Sequence, residues 1–156
     1  MPDSSDFPLT DAELAFLREL VRRKTRFLLV GLAAAVLQGA DAVTQDLDLW
    51  FRSLGDPAIA EAARAAGGVF AARTSPPMIA GEGLDRIDVV TRCQGLKSFD
   101  AEYAKAVDLS VLDFSIKILP LERVIASKSA AGRPKDKAVL EALRAALVAR
   151  RAAPKR

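Results

Sequence analysis

Three acidic side chains carry the chemistry this chain could do. Asp46 and Asp48 lie two apart in Asp46-Leu47-Asp48-Leu49-Trp50-Phe51, a run that alternates polar and apolar and then turns wholly apolar. On a strand that spacing projects both carboxylates from one face, with Leu47 and Leu49 facing the core. Neighbouring carboxylates repel and raise each other's pKa unless a cation sits between them, and a hard divalent ion such as Mg²⁺ takes oxygen ligands of this kind. Asp88, flanked by Ile87 and Val89, repeats the pattern on a second apolar stretch. Three acids on neighbouring strands suit a pair of metal ions about 4 Å apart, the arrangement used for in-line phosphoryl displacement. Taken alone, an acid-x-acid pair also suits a solvated strand edge.

Other chemistries are excluded by composition. The 156 residues include no histidine and one cysteine, Cys93. Ser-His-Asp and Cys-His nucleophiles, histidine-ligated zinc, iron–sulfur clusters and internal disulfides are therefore out of reach. The lone thiol fits a reducing, cytoplasmic compartment. No apolar run approaches the ~20 residues of a membrane span, and the acidic start Met1-Pro2-Asp3-Ser4-Ser5-Asp6 is unlike a signal peptide.

The elements that must position these acids alternate between strand and helix. Thr10-Asp11-Ala12-Glu13 has the form of a capping box, opening a helix through about residue 24. Phe27-Leu28-Leu29-Val30 is a buried strand candidate stopped by Gly31, and residues 33–38 suit a short helix capped by Gly39. The expected strand at 46–51 is followed by a helix after Asp56-Pro57, closed by Gly67-Gly68, and by a short strand at Val69-Phe70-Ala71. Ser75-Pro76-Pro77 and Gly81-Glu82-Gly83 mark a loop. Further strands are expected at 86–90 and 114–119, a helix from Ser98 to about residue 107, another from Pro120, and a last one at about 134–150. The pattern predicts one α/β domain over 1–156, its core at about 27–143, with a mixed sheet flanked by helices; strand order does not follow from it.

Gly31 opens a helix after an apolar strand, and the free N–H groups of such a turn favour phosphate. Asp46 follows Gly31 by fifteen positions, enough for a short helix and a return loop to bring the two together. Val30-Gly31-Leu32-Ala33, then Thr44-Gln45-Asp46-Leu47-Asp48-Leu49, then Ile87-Asp88-Val89 resembles the nucleotidyltransferase superfamily that includes DNA polymerase β. Leu121-Glu122-Arg123-Val124-Ile125-Ala126-Ser127-Lys128 and Gly132-Arg133-Pro134-Lys135-Asp136 are similar to the lysine and Arg-x-Lys-Asp segments of small bacterial members, including those of abortive-infection and toxin–antitoxin systems.

The resemblance implies that Asp46, Asp48 and Asp88 are catalytic and hold Mg²⁺ or Mn²⁺, with Asp88 also the candidate base. It implies that Gly31 and Leu32 cradle the β- and γ-phosphates of an NTP. Lys128, Arg133 and Lys135 would neutralise the triphosphate, and Thr44 matches a hydroxyl common two residues before the first acid. Arg133, Lys135 and Asp136 could equally form surface ion pairs, worth little each. Leu32 stands where the family usually carries glycine or serine, and Ala42 where relatives often carry arginine. The expected function is transfer of a nucleoside monophosphate from an NTP to a hydroxyl with release of pyrophosphate. The alternative is a degenerate fold that senses a nucleotide or binds a protein in a toxin–antitoxin-type pair. The acceptor is left open among an RNA 3′ end, a protein side chain and a small hydroxyl compound. A cognate protein or second copy is expected to complete its site.

Charge is unevenly spread. Residues 1–121 carry 13 basic and 17 acidic side chains (net −4), and residues 122–156 carry 10 and 3 (net +7). The basic tail at 150–156 is expected to be solvated. A nucleic-acid-binding reading of the whole basic section lacks a stacking platform, because Phe114 is the last aromatic residue.

Overall fold

The most apolar strand is an interior one, buried along its whole length. In the computed structural model, which describes residues 8–153, β1 (Phe27–Val30) is flanked by β2 (Leu47–Phe51), antiparallel, and β7 (Phe114–Ile118), parallel. β5 (Ile87–Val90) runs parallel to β2 on its other side. The sheet is completed by β4 (Met78–Ala80), β3 (Val69–Ala71) and β6 (Val107–Val111), giving the seven-strand mixed order β3-β4-β5-β2-β1-β7-β6. The single α/β domain with C-terminal helices expected from the sequence is what the described residues form.

Five of the six helices among the described residues pack in two groups: α1 (Asp11–Arg22) against α3 (Pro57–Ala65), and α5 (Leu121–Ala131) against both α2 (Gly31–Val36) and α6 (Pro134–Ala152). The short α4 (Phe99–Tyr103) sends Phe99 edge-on against Trp50, with centroids 5.3 Å apart. Leu17 of α1 shares a small apolar cavity with Leu29, Leu47 and Leu49. By the alternation of a strand, Asp48 therefore points to the opposite face, where α5 lies.

The capping box of α1 forms as expected, and it reaches further than a cap. Thr10 Oγ1 accepts from Glu13 N at 3.0 Å, while the buried Glu13 carboxylate also takes Arg86 Nε at 2.9 Å. Arg86 immediately precedes β5, so this pair ties the start of α1 to the strand that carries Asp88.

Several expected boundaries move. Residues 78–80, taken into a loop by their proline and glycine neighbours, form β4 through pairing with β3 and β5. The helix after Ser98 ends at Tyr103 rather than about 107, because Val107, Leu109 and Val111 pair with β7 instead. β2 begins at Leu47, so Asp46 lies in the preceding loop and not on the strand. Helix α2 starts at Gly31 and ends at Val36. Arg150 is no free tail residue: its Nη1 donates to the carbonyl of Gln38 at 3.3 Å, and α6 continues to Ala152. The acidic start (1–6), Lys155 and Arg156 lie outside the described residues.

Candidate active site

Parallel pairing of β2 with β5 sets Asp48 directly beside Asp88. With Val30 opposite Asp48 on β1, and Met78 opposite Asp88 on β4, the two acids occupy the middle of a row across four strands. Asp46 reaches the same place from the loop. That loop is held by a local turn in which Thr44 Oγ1 accepts from Asp46 N at 3.2 Å. The expectation that both acids project from one strand face is thus replaced by a strand acid and a loop acid lining one cleft.

Gly31 belongs to the site through its lack of a side chain. Its φ is +68°, and a β-carbon there would stand 2.2 Å from Asp48 Oδ2. Only glycine meets both demands, the left-handed backbone and the close approach of the carboxylate. Leu32 follows at the cleft wall, its side chain partly buried against the core.

The cleft measures about 730 Å³, within the ~300–1,000 Å³ typical of small-molecule sites. Every candidate lines it: Gly31, Leu32, Thr44, Asp46, Asp48 and Asp88 on one side, and Lys128, Arg133 and Lys135 on the other, from α5 and the start of α6. One wall is acidic and the other basic. Asp48 is half-buried, and desolvation pushes its carboxyl up to about 6, helped by the negative charges of Asp88 and Asp46 and opposed by Lys128 and Lys135. Asp88 is also raised, by desolvation first and Asp46 second, against the pull of Lys135.

The basic wall is built around one buried anion. Helix α5 ends at Gly132 in a left-handed turn (φ +63°), and α6 starts at once behind Arg133. Asp136, 1% exposed, accepts from Arg133 Nε at 2.6 Å, Arg133 Nη2 at 3.1 Å and Arg133 N at 3.2 Å. It also pairs with Lys128 Nζ at 3.3 Å. Those contacts hold its carboxyl below the usual carboxylate range, Arg133 being the main cause. Surface ion pairs are therefore the wrong description of this segment: the acid is fully enclosed and shared by two helices.

Some contributors had no sequence signal. Gln38 is 2% exposed; its Nε2 donates to the carbonyls of Ala34 (2.9 Å) and Leu119 (2.8 Å), and its Oε1 accepts from Leu121 N (3.0 Å). It thereby ties α2 to the start of α5, and so the acidic wall to the basic one. At the end of an alanine-rich run it looks like an ordinary polar helix residue. Arg92, Cys93 and Gln94 line the cleft just beyond β5, a position that the end of an acid-bearing strand could have pointed to. Burial, reinforced by Asp48 and Glu102, pushes the Cys93 thiol up to about 12, leaving it protonated and a poor nucleophile.

Among the described residues no group of three or more Asp, Glu, Cys or His side chains is arranged to hold a metal ion as it stands. The donor set itself suits a hard dication: all-oxygen ligands, one of them desolvated and repelled by its neighbours, a repulsion that a cation relieves. No protein-family model matches the chain, and no curated protein matches it.

Proposed function

We propose that the cleft is the active site of a nucleotidyltransferase, in which an acceptor hydroxyl attacks the α-phosphorus of an NTP and pyrophosphate leaves. The observation that carries this reading is the facing of two walls of opposite charge across one cleft, with Asp48 and Asp88 side by side on parallel strands. Mg²⁺ or Mn²⁺ bound by Asp46, Asp48 and Asp88 would supply positive charge to the phosphate oxygens and acidify the attacking hydroxyl.

The chain's own residues supply the rest. Lys128 Nζ, Lys135 Nζ and the Arg133 guanidinium offset the charge of the triphosphate, which is where catalysis of phosphoryl transfer mostly lies. Asp88 accepts the hydroxyl proton on a carboxylate oxygen. Gly31 leaves room for Asp48 to lie against the β1–α2 turn. The reading puts the chain in the cytoplasm, in keeping with its unpaired Cys93; no helix of the described residues is long and apolar enough to cross a membrane. The acceptor is an RNA, a protein or a small hydroxyl compound, and a cognate protein or second copy completes its site.

Incubation with each α-labelled NTP, Mg²⁺ or Mn²⁺ and a cell lysate tests this. Metal-dependent label in one class of molecule is expected, and its absence with all four nucleotides would overturn the reading. A second reading, a degenerate nucleotide-sensing or protein-binding module of a toxin–antitoxin-type pair, is favoured by an apolar residue, Leu32, at the cleft wall beside Gly31. It predicts NTP binding without transfer.

A further inference from the structure

Lys128 on α5 and Arg133, the residue that precedes α6, lie on either side of the Gly132 turn, and both bond to the single carboxylate of Asp136. Lysine is a flexible point charge, and a solvated one spreads its ammonium over many positions. Here Lys128 is only 17% exposed on its side chain, and its ammonium is held on the cleft wall by the buried acid. Arg133 is more open, 55% exposed, yet the same carboxylate fixes its guanidinium through two side-chain bonds. Asp136 itself is enclosed, and although it lines the cleft wall its oxygens are taken up by these partners.

We propose that Asp136 is a positioning residue for anion binding: it holds Lys128 and Arg133 in place to receive the phosphates of the nucleotide, an inference that rests on the nucleotidyltransferase reading. The proposal makes a prediction of sign. Removing a carboxylate beside two cations makes the wall more positive, so simple charge attraction predicts tighter binding of a polyanion. Positioning predicts the reverse, because Lys128 and Arg133 lose the contact that fixes them.

The test is calorimetric titration of the full chain with inorganic tripolyphosphate in Mg²⁺, for wild type, Asp136→Asn, Lys128→Gln and the double variant, at a temperature where each is folded. Asp136→Asn is expected to weaken binding about tenfold, and to have much less effect in the Lys128→Gln background, the non-additivity of residues that act through one another. Unchanged or tighter binding by Asp136→Asn would overturn the proposal. So would equal losses in both backgrounds, which mark a merely structural acid. If Asp136→Asn does not fold, Asp136→Glu takes its place: the charge is kept but displaced by one methylene, weaker binding is again expected, and wild-type affinity would overturn the proposal. Failure of the wild type itself to bind tripolyphosphate would bring down the nucleotidyltransferase reading as well, an outcome distinct from the others.

Discussion

Asp48 is ionised at a cost in desolvation and repulsion that a bound cation would offset. Its folded pKa of about 6 stands above the ordinary 3.8, so between about pH 4 and pH 6 the native state binds more protons than the unfolded chain. Stability from this group is full at low pH and is lost as pH rises through 6, by roughly 2–3 kcal/mol. Asp48→Asn should flatten that slope and melt higher than wild type at pH 7.5 without metal. Adding Mg²⁺ at pH 7.5 should raise the melting temperature of the wild type and leave the variant unmoved. A wild type indifferent to pH over 4–6 and to Mg²⁺ would contradict this account of the residue. Glu102 works in the opposite sense: Arg123 lowers its pKa, so its contribution is present above the ordinary 4.5 and fades as pH falls below it.

The two walls of the cleft belong to separate elements, and Gln38 adds hydrogen bonds to the packing between them. Gln38→Ala removes three hydrogen bonds and leaves the buried Leu121 N–H without its partner. A loss of about 2–4 kcal/mol in urea denaturation is expected, since each buried group left unmade costs ~1–3 kcal/mol. A loss below about 1 kcal/mol would show that α2 and α5 are held by packing alone.

At this scale the sequence was legible where structure is decided locally. The capping box of α1, the all-apolar β1 and the acid-flanked β2 and β5 follow from neighbours in the chain. Strands β4 and β6 do not. Met78-Ile79-Ala80 is too short, between Pro77 and Gly81, to declare itself before it pairs with β3 and β5. Val107-Asp108-Leu109-Ser110-Val111 does alternate, but a helix cap at Ser98 gives no sign of how soon the helix stops. The site was legible as a set of residue types. The burial of Asp136 was not, because an acid after Arg133 and Lys135 is enclosed only once α5 folds back against α6.

Over the whole molecule, the basic C-terminal section resolves into local roles. Arg123 is spent on the buried Glu102, Lys128 and Arg133 on Asp136, and Arg150 on the carbonyl of Gln38. Arg151 remains an exposed residue near the end of α6. Lys128→Ala should therefore weaken NTP binding about tenfold or more, while Arg151→Ala should leave it within about twofold, exposed charges being well screened at physiological salt. Equal losses at both positions would point to diffuse attraction by the section as a whole.

The central claim is that the cleft between the two walls transfers a nucleotidyl group, and pyrophosphate release reports that step most directly. With an NTP, Mg²⁺ and an acceptor-bearing extract, the wild-type chain should release pyrophosphate. Asp46→Asn, Asp48→Asn and Asp88→Asn, each still folded, should lower the rate about a hundredfold or more, as expected when charge stabilisation of the transition state is removed. A wild type that releases none with any of the four nucleotides, or a folded Asp48→Asn that releases it at the wild-type rate, would contradict the account.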